Sequence, residues 1–192
     1  MGEILRFLSI ILLILWAWYW QHKAIQTQKI KPEYQKDRTF IYLLSKYGSW
    51  VLDGFVILQL TGLSLLPTNF GLLGQSVGFI LVCIGIRIAY SARITLDTNW
   101  SNAFDYQIKK KHELITAGIY NTIRHPIYTS MILAGTGAEL VAETYIFIPT
   151  LILMFVWAYT QAKKEEQILS IHFGKSYDLY MNQSWMFLPY II

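Results

Sequence analysis

Two pairs of apolar segments are joined by links of only three residues, and this spacing constrains the fold more than any other feature. Residues 50–66 and 70–90 are separated by Pro67-Thr68-Asn69, and residues 126–141 and 145–159 by Ala142-Glu143-Thr144. Links that short return the chain antiparallel beside the segment it has just left. A further apolar segment, residues 4–20, precedes both pairs and ends in Trp16, Trp18 and Trp20. Charged residues make up 15% of the 192-residue chain, against about a quarter in soluble domains. Too little polar surface remains to cover five such segments in water. The expectation is an all-α integral membrane protein: one domain, residues 1–192, with about five transmembrane helices. Helices one to three would occupy residues 1–94, and residues 95–192 would form the second half.

Several segments fall short of the ~20 residues that a perpendicular span requires, so interfacial residues must pad their ends. Segments four and five are also compatible with a re-entrant pair that dips in and returns. Basic residues orient the chain. In a five-span arrangement every Lys and Arg except Arg6 and Arg87 falls on the long links or the C-terminal tail. By the positive-inside rule these parts are cytoplasmic and the N-terminus is outside. The trio of tryptophans suits a retained anchor with an aromatic belt better than a cleaved leader. The net charge of +4 then suits anionic lipid headgroups, not nucleic acid. Cys83 reads as a buried small hydrophobe. His22, His112, His125 and His172 lack metal-ligand spacing, so no metal is expected.

Chemistry concentrates after residue 95. The string Gly118-Ile-Tyr-Asn-Thr-Ile-Arg124-His125-Pro126-Ile127-Tyr128 leads a polar stretch into segment four. Proline is favoured at the first position of a helix and biases the residue before it towards an extended backbone. Segment four should therefore start at Pro126. A helix start attracts anions through its dipole and its unpaired N–H groups, and Arg124 and His125 add donors there. An interfacial anchor is the plainer reading of the same residues. On the continuation of segment five, Gln161 and Glu165 are four apart and share a face, while Glu166 points about 100° away. Gly174 reads as a helix stop, with Tyr177 and Tyr180 as packing residues.

Together these strings resemble a known family. His112-Glu113-Leu114-Ile115-Thr-Ala-Gly118-Ile-Tyr120, then Arg124-His125-Pro126-Ile127-Tyr128, then Glu165-Glu166, Phe173-Gly174, Tyr177, Trp185 and Leu188-Pro189 are similar to the isoprenylcysteine carboxyl methyltransferases, membrane enzymes related to the phospholipid methyltransferases. The resemblance covers roughly residues 95–190. It implies S-adenosyl-L-methionine bound in a cytoplasmic pocket closed by the C-terminal helices, with the acceptor's lipid tail entering from the membrane. Carried over by position, the cofactor contacts are His112, Glu113, Leu114, Ile115, Tyr120, His125, Pro126, Ile127, Tyr128 and Glu165. Arg124, Gln161 and Glu166 are left as candidates for the reacting side. Gln161 stands where the family has an arginine thought to meet the substrate carboxylate, and a neutral amide supplies no charge assistance.

The expected function is methylation of a prenylated cysteine carboxylate or a similar lipid-tailed acceptor. A carboxylate acceptor is already ionised at neutral pH and needs alignment more than a base. A phospholipid amine must first lose a proton, for which His125 or Glu166 are candidates. A nicotinamide-dependent membrane reductase of similar C-terminal pattern is a third possibility, disfavoured by the short chain and its few arginines.

Overall fold

In the computed structural model of the protein, the described residues are 1–28, 51–100 and 113–191. They contain helices and no strands. Helix α1 spans Gly2–Gln28, α2 is described over Val51–Leu60, and α3 spans Gly71–Leu96. Helix α4 spans Pro126–Val141, α5 Phe147–Phe173 and α6 Lys175–Gln183. Short 3-10 turns at Asp97–Asn99 and Gly118–Asn121 lie between α3 and α4. The apolar pattern placed these elements well, with informative differences at their ends.

The second apolar run does not stay helical to residue 66. Helix α2 stops at Leu60, where the Thr61 hydroxyl donates to the Leu58 carbonyl and Gly62 takes a φ of 99°. Hydropathy registers the leucines beyond this point but not the break. Helix α3 runs on past Tyr90 to Leu96. Arg93, which the sequence places on a long polar link, is thus in its last turn and buried. Its Nη1 donates to Asp97 O at 2.9 Å and its Nη2 to Lys23 O at 3.3 Å, with Trp100 covering the guanidinium at 4.5 Å. It therefore ties the ends of α1 and α3 together. Among the described residues two helices are long and apolar enough to cross a membrane, over residues 2–26 and 71–96. The 16 residues of α4 rise about 24 Å, short of a ~30 Å hydrocarbon core.

Helices α3 and α4 meet backbone to backbone. A Cβ on Gly78 would sit 2.6 Å from Gly137 O, and one on Gly137 2.6 Å from Gly78 O. A Cβ on Gly85 would sit 2.8 Å from Ser130 O. Small residues at such crossings let helices gain dispersion contacts where lipid offers no hydrophobic drive. Leu60, Val82, Ala138, Val141 and Ala142 fill the core beside this seam.

The links between α2 and α3, residues 61–70, and between α4 and α5, residues 142–146, are longer than the three residues expected of each, and they lie against each other. Pro67 and Thr144 form an antiparallel bridge. Thr68 N–H donates to Glu143 O at 2.8 Å and Tyr145 N–H to Leu66 O at 3.0 Å. Beneath them Gln59 Nε2 donates to Glu139 Oε2 at 2.6 Å, both side chains fully buried. Glu143 accepts from Arg6 at 3.1 Å, Gln75 at 3.0 Å and Gly71 N–H at 3.1 Å. These polar contacts join α1, α2, α3 and α4 at the end of α4 away from Pro126.

Candidate active site

The approach to α4 is built from a turn that only glycine accommodates easily. Gly118 has a φ of 58°, and a Cβ there would lie 3.0 Å from Thr95 Oγ1 of α3. The turn presses Tyr120 into the interior, where Tyr180 Oη donates to the Tyr120 carbonyl at 2.7 Å. The chain then extends: Ile123 bridges to Trp185, Arg124 N–H donates to Trp185 O at 2.7 Å, and His125 N–H donates to Met186 O at 3.1 Å. His125 has φ −123° and ψ 57°, and Pro126 opens α4. The proline helix start thus stands as the sequence placed it, whereas His125, at this ψ, falls short of the extended backbone expected before a proline.

Glu165 and Glu166 come to this point from α5. The Tyr128 hydroxyl donates to Glu165 Oε2 at 3.3 Å, and His125 Nδ1 lies 3.5 Å from the same oxygen. His125 Nε2 lies 3.5 Å from Glu166 Oε1, beyond good hydrogen-bond length. The imidazole therefore stands between two carboxylates. Arg124 Nε donates to Glu166 Oε1 at 2.9 Å, and Lys163 Nζ reaches Glu166 Oε2 at 3.2 Å. Both oxygens of Glu166 are engaged and its side chain is 6% exposed, against 38% for Glu165.

The electrostatics follow from that arrangement. Burial pushes the Glu166 pKa up, but His125 and then Arg124 outweigh it and bring it down to about 2. Burial pushes His125 down, and the Glu165 and Glu166 carboxylates on either side of the ring more than reverse this, raising its pKa above the ordinary value. Burial first, then the Glu165 and Tyr180 charges, hold the Tyr120 phenol well above its usual range.

The sequence candidates divide accordingly. Arg124, His125, Tyr128, Glu165 and Glu166 form one contact network, and Pro126 and Ile127 belong to the same helix start. Gln161 lies half-buried on α5, one turn before Glu165. Leu114 and Ile115 are half-buried upstream, and Glu113 N–H donates to Asn99 Oδ1 at 2.9 Å. These three are not in the contacts that make the network. His112 lies outside the described residues. Sequence reading missed Met186 and Phe187, which pack with Tyr128, Ala158 and Ala162, and Thr129, whose hydroxyl donates to Phe187 O at 3.0 Å. Their signal was the apolar run between Trp185 and Pro189, which hydropathy alone gives no site to join.

The phospholipid methyltransferase family model matches residues 73–176. Among curated relatives, a probable protein-S-isoprenylcysteine O-methyltransferase of Oryza sativa subsp. indica is 29% identical over 121 residues, covering 60% of this chain and 61% of that protein. The protein-S-isoprenylcysteine O-methyltransferase of Homo sapiens is 28% identical over 116 residues, covering 59% of this chain and 40% of that protein. The chain thus spans less than two thirds of the relatives it matches. The solved structure of the eukaryotic intramembrane Ras methyltransferase, isoprenylcysteine carboxyl methyltransferase, without a monobody, superposes with a TM-score of 0.58 at 20% identity, covering 81% of this chain and 55% of that one. The fold is therefore that of this membrane methyltransferase, and the match over residues 73–176 places the chain in the phospholipid methyltransferase family.

Proposed function

We propose that the protein is an S-adenosyl-L-methionine-dependent methyltransferase of the membrane that methylates the carboxylate of a prenylated cysteine or a similar lipid-tailed acceptor. One observation carries the choice of acceptor. Of the two candidate bases, Glu166 is ion-paired with its pKa at about 2, and His125 is held towards its protonated form by two glutamates. Each is already engaged by charged neighbours, Glu166 by Arg124 and Lys163 and His125 by a glutamate oxygen facing each ring nitrogen, so neither is free to take a proton from an amine. A carboxylate acceptor requires no such step. The names of the curated relatives support the same acceptor, while the family's description keeps a phospholipid amine as the competing one.

The residues present fit the cofactor. The half-exposed Glu165 carboxylate suits its ammonium or ribose hydroxyls, and the start of α4 suits its carboxylate. His125, Pro126, Ile127 and Tyr128 line that start, with Tyr120, Leu114, Ile115 and Glu113 on the approach; the family resemblance adds His112, which lies outside the described residues. When bound, the cofactor supplies an electrophilic methyl group on a sulfonium. The chain's own part is alignment and exclusion of water: Tyr128 and His125 orient Glu165, and Phe187 and Met186 close the apolar side. Gln161, one turn from Glu165, meets the acceptor as a neutral donor. In this reading five helices cross or enter the membrane, and the site and C-terminus face the cytoplasm, supported by the distribution of lysines and arginines.

The test is calorimetric binding of S-adenosyl-L-methionine to detergent-purified protein, followed by transfer of labelled methyl to a farnesylated cysteine or to phosphatidylethanolamine. A base-labile ester on the cysteine supports the proposal. Base-stable labelling of the amine alone assigns the other acceptor. Binding of a reduced nicotinamide with none of the sulfonium compound overturns the class.

A further inference from the structure

We propose that Arg124 and Glu166 are positioning residues: they complete the candidate cofactor site by fastening the C-terminal segment, residues 184–187, against α5. The inference rests on the methyltransferase reading and assigns these two residues a role that does not touch the reactants. Arg124 uses its fork in two directions. Nε donates to Glu166 Oε1 on α5, while Nη1 donates to Met181 O at 3.0 Å and to the Ser184 carbonyl. Met181 lies in the last turn of α6, whose final carbonyls have no helical partner, and a cation at a helix C-terminus is favourable. One guanidinium thereby satisfies the end of α6 and anchors it to a buried carboxylate.

The segment so held is part of the site. It pairs along residues 122–125: Trp185 N–H donates to Thr122 O at 2.9 Å, and Arg124 and His125 donate back to Trp185 and Met186. Thr129 Oγ1 secures Phe187 O at 3.0 Å. Phe187 then lies with its ring centroid 6.2 Å from that of His125 and packs beside Tyr128. Loosening Arg124 removes this wall from the two residues that orient Glu165. Glu166, held by Arg124 and Lys163 and faced by His125, serves as the fixed post. The adjacent Glu165 keeps a half-exposed side chain.

The experiment is a cycle on the full-length protein: wild type, Arg124→Gln, Thr129→Val and the double variant. Affinity for S-adenosyl-L-methionine is read by calorimetry, turnover at saturating cofactor and acceptor, and thermal midpoint beside them. Both substitutions loosen the same segment from different points. Each single variant is expected to weaken cofactor binding roughly tenfold, and the double variant by little more, as coupled neighbours do. The loss should be larger in cofactor affinity than in saturated turnover. Losses that multiply, or a fall in saturated turnover with affinity intact, overturn the proposal. So does a lowered thermal midpoint with unchanged affinity, the signature of a merely structural pair. If Arg124→Gln does not fold, Arg124→Lys, which keeps the charge but loses the fork that reaches α5 and α6 together, replaces it in the cycle. Failure of the wild type to bind S-adenosyl-L-methionine would instead refute the methyltransferase reading itself.

Discussion

Arg124 Nε donates to Glu166 Oε1 at 2.9 Å, and the two side chains are only 11% and 6% exposed. A buried pair of this kind is costly to break from one side, because the remaining charge stays buried without its partner. Glu166→Ala is expected to cost about 3–5 kcal/mol of stability, and Glu166→Gln distinctly less, since the amide oxygen still accepts from Arg124. Denaturation in detergent, followed by circular dichroism, checks the order of the two variants.

The acid side of the stability profile should follow Glu166. Its folded pKa lies below the ordinary carboxylate value of 4.5, at about 2. Its contribution is therefore present above about pH 4.5 and is lost as the pH falls towards 2. His125 has the opposite sign: its raised pKa contributes stability that is full below its unfolded value and is lost as pH rises through the folded one. Thermal midpoints across pH should show a plateau between these limits. Glu166→Gln should flatten both sides, since it removes the acid-side group and a partner of His125. An unaltered profile in that variant would refute the assignment.

Glu165 should behave differently from its neighbour. Its carboxylate is 38% exposed and accepts from Tyr128. Glu165→Ala is expected to leave the thermal midpoint within a few degrees of wild type while severely weakening binding of S-adenosyl-L-methionine. Tyr128→Phe, which deletes one hydrogen bond to a charged group, should weaken binding by about 1.5–3 kcal/mol or less. Calorimetry with both variants separates the orienting role of Tyr128 from that of the carboxylate.

The crossing of α3 and α4 makes a prediction with an internal control. A methyl group at Gly137 would press on the Gly78 carbonyl and on Val82 N at 2.9 Å. Backbone atoms cannot step aside as a flexible side chain does. Gly137→Ala should cost about 1–3 kcal/mol or more through overpacking. Gly54 in α2 has nothing within 4 Å of a built Cβ, so Gly54→Ala should be neutral or stabilising by about 0.5–1 kcal/mol. Unfolding of the two variants side by side is the measurement.

At the other end of the bundle, Gln59 and Glu139 form a fully buried pair. Gln59→Leu strands the carboxyl group and should destabilise by about 1–3 kcal/mol. Glu139→Gln preserves an amide partner and should be tolerated. Equal losses in both variants, measured by thermal unfolding, would show that the hydrogen bond is not what the pair contributes.

Much of this molecule was legible in one dimension because its signals are local. The proline start of α4 and the glycine stop at Gly174 each depend on a few adjacent residues. Helix periodicity likewise placed Glu165 and Glu166 on different faces, and the structure gives one a half-exposed and the other a buried environment. The end of α2 was missed because Leu63, Leu65 and Leu66 keep the apolar run going after Gly62 has ended the helix. Glu139 was missed because a lone carboxyl in an apolar segment carries no sign of the Gln59 that satisfies it, 80 positions away.

Composition and spacing, then, decide an apolar helical chain and a donor-rich helix start at Pro126, since both arise from neighbours along the backbone. Which residues face that start is decided by packing. Arg124 meets Glu166 across 42 positions and Ser184 across 60, and these meetings exist only once α5, α6 and the C-terminal segment have closed around the start of α4. Charge, burial and protonation at His125 and Glu166 are properties of that enclosure, because they depend on what is nearby in space and on how much water has been excluded.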